Sequence, residues 1–357
     1  MSAPEAPSAA ESWRTLVDLD ALARWMDAQG LGEGPIASVV PLTGGTQNVM
    51  LRFSRGGAEY VLRRPPRHPR ANGNDTMRRE MRILAVLGHT EVPHARLIAS
   101  CPDAEVLGTS FYLMEPIEGF NPTVGLPALH ASDPGIRHRM GLALIDGLIR
   151  LARVDHRSPG LEGLGRTEGF LERQVGRWIQ QLAGYRDYEG WPGPGEIPGV
   201  DRIADWLERH RPAGFRPGLM HGDYHLANVM YRNDGPELAA IVDWELATVG
   251  DPLLDLGLVL TTWPRADDPT SMKIEPWAGF PTTAQLADHY AAHSDRDLSS
   301  LPWYEVLACF KLGILLEGTF ARACAGKADM GVGARFHART RALFQRAQGL
   351  VASDGSE

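Results

Sequence analysis

Between His221 and Glu245 the chain carries two carboxylates and one amide at offsets that suit phosphate chemistry. The residues are His221-Gly222-Asp223-Tyr224-His225-Leu226-Ala227-Asn228, followed by Ile241-Val242-Asp243-Trp244-Glu245. Val229 to Arg232 and Leu238 to Asp243 read as strands on either side of an Asn233-Asp234-Gly235-Pro236 turn. A hairpin on that turn brings Asn228 and Asp243 to its open end as rough cross-strand neighbours, ~5–8 Å apart. Asp223 lies on the loop just before. Mg²⁺ is a hard cation that takes one or two carboxylate or amide oxygens and fills its remaining positions with water and phosphate. Two of the three groups meet that need, which leaves a third to accept a proton.

Periodicity supplies the elements that must carry these groups. Asp18 to Gln29 reads as an amphipathic helix, with Leu19, Leu22, Ala23 and Met26 on one face. Ile36 to Pro41, Val49 to Phe53 and Glu59 to Arg64 read as strands, the first two joined by Leu42-Thr43-Gly44-Gly45-Thr46-Gln47-Asn48. A helix is expected over Thr76 to Leu87, then strands near Ala95 to Ala99 and Thr109 to Glu115. From Pro116 the texture becomes helical: Pro134 to Val154, Gly169 to Leu182, Val200 to His210, then from Leu253 and from Pro302 onward. The class is α+β. Composition makes 1–11 a disordered lead, and the change of texture divides the rest into 12–115, a short connector at 116–119 and a mostly helical part at 120–357.

An Asp, an Asn five residues later and a downstream Asp also mark the kinase catalytic loop and its metal-binding segment. With Gly222 in the middle of His-Gly-Asp, and with Asp243-Trp244-Glu245, the segment resembles the aminoglycoside phosphotransferase and choline kinase superfamily of small-molecule kinases. The resemblance implies a bilobal protein-kinase-like fold, with a small antiparallel-sheet N-lobe bearing one main helix and a larger, mostly helical C-lobe. It implies ATP and Mg²⁺ as cofactors, Asp223 as the catalytic residue, and Asn228 and Asp243 as metal ligands. Gly44, Gly45 and Thr46 stand where a loop covers the nucleotide phosphates and offers them backbone N–H groups. Arg63 takes the place of the more usual Lys facing the phosphates, and strand alternation puts Val61 on the same face, toward adenine. Glu80 on the following helix is the expected partner of Arg63. Tyr112-Leu113-Met114-Glu115-Pro116-Ile117-Glu118-Gly119 matches a hinge, with Met114 as an apolar wall and the backbone of Glu115 and Ile117 at adenine.

Tyr60-Val61-Leu62-Arg63-Arg64-Pro65-Pro66, Val154-Asp155-His156, Gly160-Leu161 and the run from Gly169 to Trp178 resemble the kinase domains associated with acyl-CoA dehydrogenases. The chemistry of that subgroup is phosphorylation of hydroxyacyl-CoA. The implied reaction is therefore transfer of the γ-phosphoryl group of ATP to a hydroxyl of a small molecule, with hydroxyacyl-CoA as one acceptor. His225, Arg173 and Arg177 are the candidate acceptor contacts. An aminoglycoside or another small alcohol is the alternative acceptor.

The 357 residues hold 36 Lys and Arg against 44 Asp and Glu, a net charge of −8. That balance argues against a general binder of nucleic acid or anionic membrane. Three scattered cysteines, no long apolar run and no apolar leader at the N-terminus fit a reducing cytoplasm. The only lysines are Lys273, Lys311 and Lys327. A protein kinase would need an Ala-Pro-Glu motif after a long activation segment; the motif is absent, and Asp251-Pro252 already follows Asp243 closely. A metal-dependent hydrolase built on His221-x-Asp223-x-His225 is a second alternative. An inactive kinase-like scaffold, suggested by Arg63, is a third. Asp251 and Asp255 read as capping or loop-bracing groups.

Overall fold

The computed structural model describes residues 13–42, 48–66, 72–265 and 272–353. The chain divides into two compact units. The first comprises residues 1–118 together with Ser158–Leu161 and Ala239–Glu245. Its opening helix, α1 (Leu19–Ala28), is capped by Asp18, whose carboxylate accepts from the Asp20 and Ala21 N–H groups at 3.0 and 2.9 Å. Three strands follow, β1 (Ala37–Pro41), β2 (Val49–Arg55) and β3 (Ala58–Arg64), then α2 (Gly73–Leu87), β4 (Leu97–Cys101) and β5 (Phe111–Met114). The strands form one antiparallel sheet in the order β1-β2-β3-β5-β4.

Alternation along this sheet decides what faces where. Leu51, Phe53, Tyr60, Leu62, Phe111 and Leu113 are buried in one core with Leu22 and Met26 of α1. Val61 and Arg63 therefore belong to the opposite face, and they stand across from Met114 and Tyr112 of β5.

Two short segments from beyond the hinge group with the first unit because their backbones bond to it. The Ile241 N–H donates to the Pro93 carbonyl at 2.8 Å, and Arg82 Nε donates to the Gly160 carbonyl at 3.0 Å.

The second unit holds α3 (Ala128–Ser132), α4 (Pro134–Ala152), α5 (Glu172–Gly184), α6 (Val200–Arg209), β6 (Gly218–Met220) and β7 (Val229–Tyr231). After β8 (Leu238–Ile241) it continues with β9 (Thr248–Gly250), α7 (Leu253–Thr262), α8 (Thr283–His293), α9 (Leu301–Cys324) and α10 (Met330–Ser353). β6 pairs antiparallel with β9, a strand too short to show alternation in the sequence. β8 stops at Ile241 rather than Asp243, because Asp243 turns left-handed at φ +67°. α4 anchors what lies above it: the Tyr224 hydroxyl donates to the Leu144 carbonyl at 2.7 Å and the Tyr231 hydroxyl to the Met140 carbonyl at 2.9 Å. α9 packs along both α7 and α10, with Phe310 and Phe344 in ring contact at 5.5 Å. Among the described residues no helix is long and apolar enough to cross a membrane.

Candidate active site

In the first unit, the sheet and α2 assemble a cage around Arg63. The Arg63 Nη2 donates to Glu80 Oε1 at 3.2 Å and to Asp243 Oδ1 at 2.9 Å, and its Nε lies 2.9 Å from Glu80 Oε2. The Tyr112 hydroxyl donates to Glu80 Oε2 at 2.8 Å. Arg63, Glu80 and Tyr112 are all buried. Burial alone lowers an arginine pKa, but Tyr112, Glu80 and Asp243 outweigh it and hold Arg63 above its ordinary value. A guanidinium can serve two carboxylates at once because its donors fan out in a plane. The left-handed backbone at Asp243 lets its carboxylate meet Arg63 directly after the strand has ended.

In the second unit, charges grip the backbone of the loop 221–223. Asp255, at the start of α7, accepts from the His221 N–H at 2.6 Å and from the Gly222 N–H at 2.9 Å. From α9, Lys311 Nζ donates to the Gly222 carbonyl at 2.8 Å. Gly222 adopts φ +83°, and a Cβ there would stand 2.5 Å from the Leu246 carbonyl oxygen. Asp251 accepts from the Leu253 N–H at 3.1 Å and from the Tyr304 hydroxyl at 2.5 Å, which ties α7 to α9.

Asp223 follows this clamped peptide. Its Oδ2 and its carbonyl both accept from Asn228 Nδ2 at 2.9 Å, and its Oδ1 lies 3.4 Å from His225 Nε2. Burial pushes the Asp223 pKa up, but the His225 contact, with help from Lys311 and His221, overrides it and holds the carboxyl at about 2. At Asp255 burial wins, and the pKa rises to about 6. Burial also draws Lys311 below the ordinary lysine value, against the pull of Asp255 and Asp223.

In the second unit the Asn228 nitrogen is committed to Asp223, so its amide oxygen is left as an acceptor. In the first unit Arg63 engages Oδ1 of Asp243 and leaves Oδ2. Each is an oxygen donor of the kind a hard cation takes.

The remaining expected residues sort as follows. Gly44, Gly45 and Thr46 lie outside the described residues. Val61 and Met114 are paired and buried across β3 and β5. The Glu115 N–H is taken by the Arg96 carbonyl at 2.9 Å and its carboxylate by the Arg96 guanidinium, so only its carbonyl is left for a purine. Ile117 is half-buried just beyond β5. The Arg173 guanidinium donates to the Glu168 and Arg166 carbonyls and braces the loop entering α5. Arg177 is exposed on α5 and lies over the Trp178 ring. The hydrolase alternative calls on His221, Asp223 and His225. Among the described residues no three His, Cys, Asp or Glu side chains form a metal cluster, and His221 is fully buried with Nδ1 facing the Asp223 N–H at 3.3 Å.

Sequence reading missed Tyr112 and Lys311. The β3–β5 register, which sets Tyr112 opposite Arg63, could have flagged the first. The scarcity of lysine could have flagged the second.

A five-stranded antiparallel sheet with its helix, a helical second unit and these two clusters define a phosphotransferase of kinase-like fold. The chain belongs to the APH phosphotransferase enzyme family, whose family model matches residues 38–292. It is 27% identical over 309 residues to acyl-CoA dehydrogenase family member 10 of Mus musculus, an alignment covering 83% of this chain and 28% of that protein. It therefore spans less than a third of that relative's length. A solved structure described as an aminoglycoside phosphotransferase from Ralstonia eutropha superposes with a TM-score of 0.79 at 26% identity, over 94% of this chain and 98% of the other. A thermostable mutant of aminoglycoside phosphotransferase APH(4)-Ia, solved with ADP and hygromycin B, superposes with a TM-score of 0.60 at 14% identity, over 91% and 98%.

Proposed function

We propose that this chain is an ATP-dependent kinase that phosphorylates a hydroxyl of a small molecule, with a hydroxyacyl-CoA as acceptor. The observation that carries the reading is the Asp223 carboxylate. It is held ionised, oriented by Asn228 and His225, on a peptide locked by Asp255 and Lys311. The acceptor hydroxyl donates its hydrogen bond to Asp223. Its oxygen bonds to the γ-phosphorus as the bond to the β,γ-bridging oxygen breaks, and that electron pair leaves on ADP. A carboxylate with a pKa near 2 is a weak base, so Asp223 takes the proton late, once the bond to phosphorus has made the oxygen acidic.

Asn228 and Asp243 are the residues assigned to Mg²⁺, which supplies charge neutralisation to the phosphates. Arg63, fixed by Glu80, adds a positive charge in the nucleotide-binding unit, and Val61, Met114 and the Glu115 carbonyl are assigned to adenine. An acyl-CoA acceptor is supported by the relative, whose name carries the acyl-CoA dehydrogenase family and which aligns with most of this chain.

The test is an ATP-consumption screen over hydroxyacyl-CoAs, aminoglycosides, choline-like alcohols and sugars, with Asp223→Ala as the blank. Turnover in the parent, its loss in the variant and retained Mg·ATP binding in both are expected. Equal turnover by parent and variant ends the assignment.

A further inference from the structure

Two cations in the second unit converge on one indole beside the catalytic loop. Lys311 Nζ lies 5.8 Å from the centroid of the Trp178 ring, and the Arg177 guanidinium carbon lies 4.9 Å from it. Among the described residues neither cation has a carboxylate oxygen within 4 Å, and the buried indole N–H of Trp178 has no hydrogen-bond partner. Acids outnumber bases in this chain, and Arg157, Arg216 and Arg232 each pair with a nearby aspartate, whereas Arg137, Arg153 and Arg296 donate to backbone carbonyls. The Gly222 carbonyl occupies one of the three hydrogens of the Lys311 ammonium. Anchoring that carbonyl needs Lys311 alone. It gives no reason for a second cation over the same ring; Asp255 and Asp223 attract Lys311, and Arg177 opposes it more weakly.

We propose that Lys311 and Arg177 form a subsite for an anionic group of the phosphoryl acceptor, a phosphate or carboxylate such as the phosphates of a CoA thioester. The proposal rests on the kinase reading, since it is Asp223 that makes the neighbouring loop the acceptor's destination. An anion beside this indole gains charge-assisted hydrogen bonds from the cations it reaches. A polycationic acceptor of the aminoglycoside kind meets the opposite field. The subsite thus selects the class of acceptor, while Asp223 and the nucleotide residues carry the transfer.

Lysine labelling of the full chain tests this without any acceptor. Pyridoxal 5′-phosphate and uncharged pyridoxal both form imines with lysine that borohydride traps, and only the first brings an anion. The chain has just three lysines, and the exposed Lys273 and Lys327 serve as internal references. Peptide mapping is expected to show a labelling preference for the phosphorylated reagent about tenfold greater at Lys311 than at either reference. Arg177→Met should bring that preference down to the reference level. Equal preference at all three lysines, no labelling at Lys311, or a preference that survives Arg177→Met overturns the subsite. So does a parent enzyme that turns over aminoglycosides ahead of acidic acceptors. The labelling uses no ATP, so its failure and a silent ATP screen are seen separately.

Discussion

Arg63 in the first unit is surrounded by side chains: Glu80, Tyr112 and Asp243 all bond to it or to its partner, and the main chain takes no part. In the second unit Asp255 and Lys311 bond instead to the N–H groups and the carbonyl of the loop that carries Asp223. The first arrangement is an electrostatic unit, so deleting one member strands a buried charge. The second is a mechanical clamp, so deleting one member frees a peptide while the reacting carboxylate keeps its own contacts to Asn228 and His225. Damage to the cage should therefore appear first in stability, and damage at the loop first in turnover.

The largest effect is expected at the loop. Asp223→Ala should lower kcat by roughly 10²–10⁴-fold, the range for a positioned proton acceptor, while calorimetry with Mg·ATP shows little change in affinity. Unaltered kcat would remove the distinction between the two regions. Next comes Glu80→Ala, which leaves Arg63 buried without its main partner. Denaturant melts should show a loss of about 3–5 kcal/mol. A loss confined to kcat, with an unchanged melt, would mean the cage is not a stability unit.

Tyr112→Phe removes one donor to a buried carboxylate, and melts should fall by about 1.5–3 kcal/mol. The same variant should weaken ATP binding if Glu80 must be held for Arg63 to be in place.

The smallest effect is a pH dependence, and its sign separates the two loop aspartates. Asp255, raised to about 6 from an ordinary 3.8, keeps a proton in the folded chain that the unfolded chain has already lost. Its contribution to stability is complete below pH 3.8 and is lost as the pH rises through 6. Asp223, lowered to about 2, contributes above pH 3.8 and loses that contribution as the pH falls toward 2. Asp255→Asn should thus gain stability relative to the parent between pH 4 and 7, by on the order of 1–3 kcal/mol. Melts at the two pH values measure it, and parallel curves for parent and variant would remove Asp255 as a titrating clamp.

The same contrast explains what could be read from the sequence. Spacing alone singled out Asp223, Asn228 and Asp243, because these polar groups sit on short local segments with strong turn signals. Strand alternation put Arg63 and Val61 on one face, and helical periodicity placed Glu80 on α2. The clamp is different, since its parts are joined only by folding. Lys311 lies 89 residues from Gly222 along the chain, and nothing local marks it. Asp255 was legible as a brace only in kind, without the two N–H groups it accepts. Tyr112 reads as one more core aromatic in a strand. β9 was invisible because three residues cannot establish a period, and β8 was read too long because Asp243 leaves the strand through a conformation no pattern announces.

Gly222 sets a boundary for evolution of the loop. Protein kinases carry arginine at the middle of their His-Arg-Asp triplet. Here even the first carbon of any such side chain collides with the main chain of Leu246, and the torsion itself disfavours every residue but glycine. A one-codon drift toward the protein-kinase triplet would dislodge the turn that follows Asp-Trp-Glu. A side chain at this position therefore requires the backbone at Leu246 to be rebuilt with it.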